Sequence, residues 1–193
     1  KKARIWINIG VVKLELASFI DHTNLDPAAT REDIVKLCHE AAEWGFASVC
    51  VNPCYVALAS KILREKEVKV CSVVDFPLGA GTSSSKAYEA AGACRDGAEE
   101  IDMVMNISHA KNGDYDLLGQ DIEEVVKAVP GCKVKVILET FLLEDDEIIK
   151  ACNEAVKAGA HFVKTSTGFS GGGATVRHVE LMRMSVPSSM GVK

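Results

Sequence analysis

Three lysines occupy strand-like, apolar surroundings where a buried strand would carry valine or isoleucine: Lys135 in "KVKVILET", Lys164 in "AGAHFVKTSTG" and Lys193 in "MGVK". They recur at equal intervals, since 164 − 135 and 193 − 164 are both 29. That interval is about one βα unit, so the three are expected at similar heights on consecutive strands. Strand side chains alternate between faces, which groups Phe162, Lys164 and Ser166 on one side. The same alternation groups Lys135, Ile137 and Glu139, and groups Asp102, Val104 and Asn106. If these faces share one cavity, three ammonium groups meet the carboxylates of Asp102 and Glu139. Unpaired buried charge is costly, so such groups pair or shift their pKa. A lysine beside other cations in a low-dielectric pocket becomes a free amine at neutral pH, able to form a Schiff base with a carbonyl compound. Lys164 is the candidate nucleophile; Lys133 reads as a strand-end lysine with its ammonium in solvent.

The loop after Lys164, "STGFSGGGAT", adds a second element. Ser166, Thr167 and Gly168, then Gly171 to Gly173, offer hydroxyls and approachable backbone amides ahead of a helix opening near Thr175. Such a loop at a helix N-terminus can hold a phosphate.

The elements that must position these residues alternate along the chain. Strands are expected at 19–22, 47–52, 69–75, 100–106, 133–140 and 161–166, with a seventh starting at 190–193. A helix from Thr30 has Asp33 in the capping-box place, an apolar stripe of Ile34, Leu37, Cys38, Ala41 and Ala42, and Gly45 as its stop. A second runs from Ser84 or Ser85 to Gly97. A third, "LEDDEIIKACNEAVKAG", has acidic residues in its first turn and ends at Gly159. Several strands are apolar on both faces, as in a parallel sheet covered by helices. This predicts one α/β domain over 1–193. The nucleotide fingerprints GxGxxG and GxxxxGK[ST] are absent from the sequence, which disfavours a nucleotide-binding open sheet.

Composition narrows the function classes. With a net charge of −5 and no basic run, the chain carries no footprint for nucleic acid or an anionic membrane. Its 48% hydrophobic and 25% charged residues are those of an ordinary soluble protein, and no apolar stretch reaches the ~20 residues of a membrane span. The seven cysteines are odd in number and scattered among apolar positions, so they read as small buried hydrophobes in a reducing cytoplasm rather than a disulfide framework. The histidines at 22, 39, 109, 161 and 178 form no HxH or HxxxH set, so no metal site is expected. No cofactor is implied either. His22 and His161 read as packed or hydrogen-bonded residues.

Taken together, "IDHTNLD" (20–26), "SVCVNPCYV" (48–56), "VVDFPLGAGTSSSK" (73–86), "EIDMVMNI" (100–107), "VKVILET" (134–140), "FVKTSTGF" (162–169) and "MGVK" (190–193) resemble the deoxyribose-phosphate aldolases. The resemblance covers nearly everything from Leu16 to Lys193. It implies a TIM (β/α)8 barrel, a class I aldolase without metal or cofactor, and a small phosphorylated sugar as substrate. It also implies that Lys164 is the Schiff-base lysine, that Asp102 handles protons and that Lys193 lowers the pKa of Lys164. Lys135, Thr23, Cys50 and Ser166 would line the substrate site, and Gly168 with the backbone after it would begin the phosphate site.

The barrel is expected to be incomplete at its C-terminus, with strands 1–6 and the start of strand 7 present, because this fold typically runs ~250 residues. Residues 1–15 depart from the family and read as an N-terminal extension. The rival to an active aldolase is a truncated, inactive relative serving as a binding or assembly protein. A transaldolase-like enzyme is a third reading, disfavoured by "KTSTG". A homodimer is the default expectation for assembly.

Overall fold

The computed structural model describes residues 6–9 and 12–193, with side chains from residue 16 onward. Part of the expected 1–15 extension therefore lies outside the described residues. The rest is an antiparallel pair, β1 (Trp6–Ile9) with β2 (Val12–Glu15), in which Ile9 stands opposite Val12. The chain divides into two compact units, Lys1–Ser72 with Asp96–Ala98, and Val73–Arg95 with Glu99–Lys193.

The first unit carries β3 (Asp21–Asn24), α1 (Arg31–Trp44), β4 (Ser48–Val51), α2 (Val56–Leu63) and most of β5 (Lys69–Val74). The strands are parallel, with Thr23 opposite Cys50 and Cys50 opposite Cys71. The α1 start follows from its sequence. Thr30 accepts from the Asp33 amide while the Asp33 carboxylate accepts from the Thr30 amide at 2.8 Å, a reciprocal cap that satisfies two helix-end donors. Gly45, at φ 69°, ends the helix in the left-handed conformation that glycine adopts without a Cβ penalty. Ile34, Leu37, Cys38 and Ala41 form the buried stripe.

The second unit runs from the end of β5 through α3 (Ser83–Arg95), β6 (Glu100–Val104), α4 (Ile107–Asn112), α5 (Tyr115–Ala128), β7 (Lys133–Ile137), α6 (Asp145–Lys157), β8 (Phe162–Lys164), α7 (Val176–Ser185) and β9 (Gly191–Val192). Strands β6, β7, β8 and β9 pair in that order, all parallel. Helices α3, α5, α6 and α7 pack successively on one another. The α6 stripe of Ile148, Ala151, Cys152 and Ala155 is buried, as its spacing requires. In α5 the stripe Leu118, Ile122 and Val125 is interrupted by Asp121, which pairs with the fully buried Lys86 of α3 at 2.6 Å. Lys86 also donates to the Val104 carbonyl at 3.1 Å, so the charged pair ties two helices to a strand.

The architecture is α/β, built from the successive βα units of a (β/α) barrel, with six full strands from β3 to β8 and a two-residue seventh. Several strands are shorter than the sequence suggests. Asp75 (φ 49°) and Glu139 (φ 56°) follow β5 and β7 closely, and their left-handed backbone belongs to loops rather than to an extended ladder. One cysteine pair departs from the expectation of free thiols: Cys94, near the end of α3, is bonded to Cys132, just before β7. Cys38 and Cys152 behave as buried hydrophobes, and burial pushes their thiols up to about 11 and about 12. Among the described residues no helix is long and apolar enough to cross a membrane.

The loop after β5 has a testable backbone constraint. Gly79 sits at φ +65°, and a Cβ there would lie 2.1 Å from the Met105 carbonyl oxygen and 2.8 Å from Val104 Cγ1. A backbone atom cannot rotate away as a side chain would. Gly79→Ala is therefore expected to destabilise the second unit by about 2–4 kcal/mol. A lowered urea midpoint measures it; an unchanged midpoint would refute the close approach.

Candidate active site

Four charged side chains form a continuous chain inside the second unit. Glu100 Oε2 lies 2.7 Å from Lys135 Nζ, Lys135 donates to Asp102 Oδ1 at 2.9 Å, and Lys164 donates to Asp102 Oδ2 at 2.6 Å. Asp102 is fully buried, Lys135 is 2% exposed, and the Lys164 side chain keeps 21% exposure. The carboxylate thus bridges two ammonium groups, one sealed in and one open to solvent. Burial alone would raise the Asp102 carboxyl. The charges of Lys135 and Lys164, with their hydrogen bonds, outweigh it and hold the group below the usual carboxylate range. Charges of alternating sign are what make the burial tolerable, since each is paired and hydrogen-bonded.

Strand register sets the heights. Asp102 stands directly opposite Lys135, but Lys135 stands opposite Phe162, and Lys164 opposite Ile137. Equal spacing in sequence therefore misplaces Lys135: it lies two residues lower on its strand than Lys164. The interval does hold for the last pair. The Thr165 amide donates to the Lys193 carbonyl and the Lys193 amide to the Val163 carbonyl, both at 2.9 Å, which sets Lys193 opposite Lys164. Glu100 joins the site beyond the residues expected from the sequence; it precedes Asp102 by two and so shares its face.

Beyond Lys164 the chain turns into the glycine loop. The Ser166 hydroxyl is buried without a hydrogen-bond partner among the described residues, and Gly168, at φ +85°, has open space where a Cβ would project. Gly172 is different, for its Cβ position is filled by the ring of Phe141. Phe169 meets Phe76 edge-on, with ring centroids 5.2 Å apart, so the loops following β8 and β5 touch. Thr175 caps α7 by accepting from the His178 amide at 3.1 Å, where the sequence places the helix opening. Thr23 and Cys50 belong to the first unit: the Thr23 hydroxyl donates to the Asp21 carbonyl at 2.9 Å, and Cys50 is buried. The two histidines read as structural are hydrogen-bonded, His22 to Glu40 at 2.9 Å and His161 Nδ1 to the Val134 amide at 3.1 Å.

This arrangement offers an amine nucleophile at a strand's C-terminal end, a buried anion beside it to hold positive charge, and a hydroxyl- and glycine-rich loop directly after it. In parallel α/β folds that end is where sites are built. A deoxyribose-phosphate aldolase of Thermoanaerobacter pseudethanolicus is 56% identical over 183 residues, which is 93% of this chain and 82% of that protein. One from Thermococcus gammatolerans is 57% identical over 187 residues, 95% of this chain and 83% of that protein. The solved deoxyribose phosphate aldolase of Aeropyrum pernix, described as tetrameric, superposes with a TM-score of 0.85 at 36% identity, covering 92% of this chain and 76% of that one. The family described as DeoC/LacD family aldolase matches residues 16–190, and the chain belongs to it.

Proposed function

We propose that the protein cleaves 2-deoxy-D-ribose 5-phosphate reversibly into acetaldehyde and D-glyceraldehyde 3-phosphate, through a Schiff base at Lys164 and without a metal. The observation that carries this reading is the 2.6 Å pair of Lys164 with the buried Asp102. The name shared by the relatives supports the substrate.

The steps follow from these groups. The Lys164 ammonium sheds a proton, for which Asp102 Oδ2 is the adjacent acceptor, and the amine adds to the C1 aldehyde. Loss of water gives an iminium, whose positive charge stays beside the Asp102 carboxylate. The C3 hydroxyl gives its proton through water to Asp102, the C2–C3 bond breaks, and its electron pair moves into the iminium to give an enamine. D-Glyceraldehyde 3-phosphate leaves. The enamine carbon takes a proton, relayed through Asp102 and water, and hydrolysis frees acetaldehyde and the amine. The electron sink is the iminium itself, so no metal is required. Lys193, set opposite Lys164 on the neighbouring strand, is a further cation assigned to the site. Lys135 holds the other Asp102 oxygen. Ser166 and Gly168 belong to the phosphate end.

Borohydride reduction in the presence of acetaldehyde tests the mechanism. The expected product is protein heavier by one ethyl group, mapped to Lys164. An adduct on another lysine, or none at all, would sink this reading.

A further inference from the structure

Glu139 is fully buried at the end of β7, in a left-handed conformation (φ 56°, ψ 58°) that side-chain-bearing residues avoid. Holding a non-glycine residue there strains the backbone. Its carboxylate reaches across to the loop after β8. Oε2 accepts from the Thr167 amide at 3.2 Å, from the Thr167 hydroxyl, and from the Ser170 hydroxyl at 3.0 Å. The Phe169 amide donates in turn to the Thr167 hydroxyl at 3.0 Å. The next residue grips both ends of the same loop: the Thr140 amide donates to the Thr165 carbonyl at 2.9 Å, and its hydroxyl meets His178 Nδ1 at 3.1 Å.

Stability does not account for this carboxylate. Oε1 is buried without a hydrogen-bond partner among the described residues, and the other oxygen is held by neutral donors. A buried, half-satisfied acid on a strained backbone is costlier than an apolar residue of the same size. What it secures is the path of the chain from Thr165 to Ser170, which contains Ser166 and Gly168.

We propose that Glu139 is a positioning residue for the phosphorylated end of the substrate: it acts through the loop after β8, setting affinity there, and not on the amine chemistry at Lys164. This rests on the reading of that loop as the phosphate end of an aldolase site. It separates two properties that a general loss of structure would move together. Acetaldehyde has no phosphate and needs only Lys164 and its neighbours, whereas deoxyribose 5-phosphate needs the loop as well.

The experiment compares wild type, Glu139→Ala, Glu139→Gln and the loop-side double variant Thr167→Val/Ser170→Ala. Steady-state cleavage of deoxyribose 5-phosphate is read beside the rate of borohydride-trapped acetaldehyde adduct. Glu139→Ala is expected to raise KM roughly tenfold or more, a scale reached when positioning slips by a fraction of an ångström. Trapping of acetaldehyde should fall far less. Glu139→Gln keeps one acceptor oxygen and should recover part of the affinity. The double variant should reproduce the KM rise even if Glu139→Ala fails to fold. Hydrogen exchange at the Thr167 and Phe169 amides, faster in Glu139→Ala, reports the loop without any turnover. If the wild type neither cleaves nor traps, the aldolase reading fails, while amide exchange still decides whether Glu139 holds the loop. An unchanged KM in the folded variants, equal losses in both reactions, or unaltered exchange would overturn the proposal.

Discussion

Replacing Lys164 with alanine is expected to abolish the borohydride-trapped adduct and to lower kcat/KM on the order of 10⁴-fold or more, the scale lost when a covalent nucleophile is removed. The fold should survive. The Lys164 side chain is partly exposed, and Asp102 retains its pair with Lys135 at 2.9 Å. Lys164→Arg sharpens the test, because it keeps a cation beside Asp102 but supplies no amine able to form an imine. Both variants should be inactive, and the arginine variant should unfold close to the wild-type midpoint. Lys135→Met is the informative contrast. Lys135 is buried and paired with both Glu100 and Asp102, so its loss should move stability more than loss of Lys164 does. Appreciable activity in either Lys164 variant would remove the lysine from the mechanism.

How far the site was legible depends on what each residue's signal was. Lys164 announces itself locally: a charged residue inside an apolar strand, ahead of a glycine loop, needs no knowledge of the fold. The capping residues of α1 and the acidic first turn of α6 are equally local, and the structure follows them closely. Relative height is not local. The β7–β8 pairing is offset by 27 residues and the β8–β9 pairing by 29, as Lys135 against Phe162 and Phe162 against Gly191 show. Helix and loop lengths between strands set those offsets, so a regular sequence interval placed Lys193 correctly and Lys135 two residues too high. The Lys86–Asp121 pair illustrates a second limit. Its partners are 35 residues apart, on α3 and α5, and become neighbours only through helix packing. An aspartate within the apolar stripe of α5 is the one sequence mark it leaves. Cys94 and Cys132, 38 apart, leave no mark at all.

Asp102→Asn should be the most disruptive single-atom change in the protein, because it acts on stability and chemistry together. The variant removes the negative charge that bridges Lys135 and Lys164, while the Lys135–Glu100 pair remains. Breaking a buried ion pair from one side costs about 3–5 kcal/mol, and Asn retains a hydrogen bond, so the lower end is expected. Loss of the anion beside the iminium, and of the proton relay, should lower kcat a further 10²–10⁴-fold, roughly the range for general acid–base groups. The pH dependence separates charge from shape. The folded Asp102 carboxyl is held below its unfolded value, first against burial and then by the two lysine charges. Its stabilising contribution is therefore complete above the unfolded carboxylate value of about 3.9 and disappears as pH falls through the lower folded value. The stability difference between wild type and Asp102→Asn should be flat from pH 8 to pH 5 and shrink in acid. A difference that stayed constant through the acid range would mean that the asparagine damages packing rather than charge pairing, and the bridging role of Asp102 would have to be abandoned.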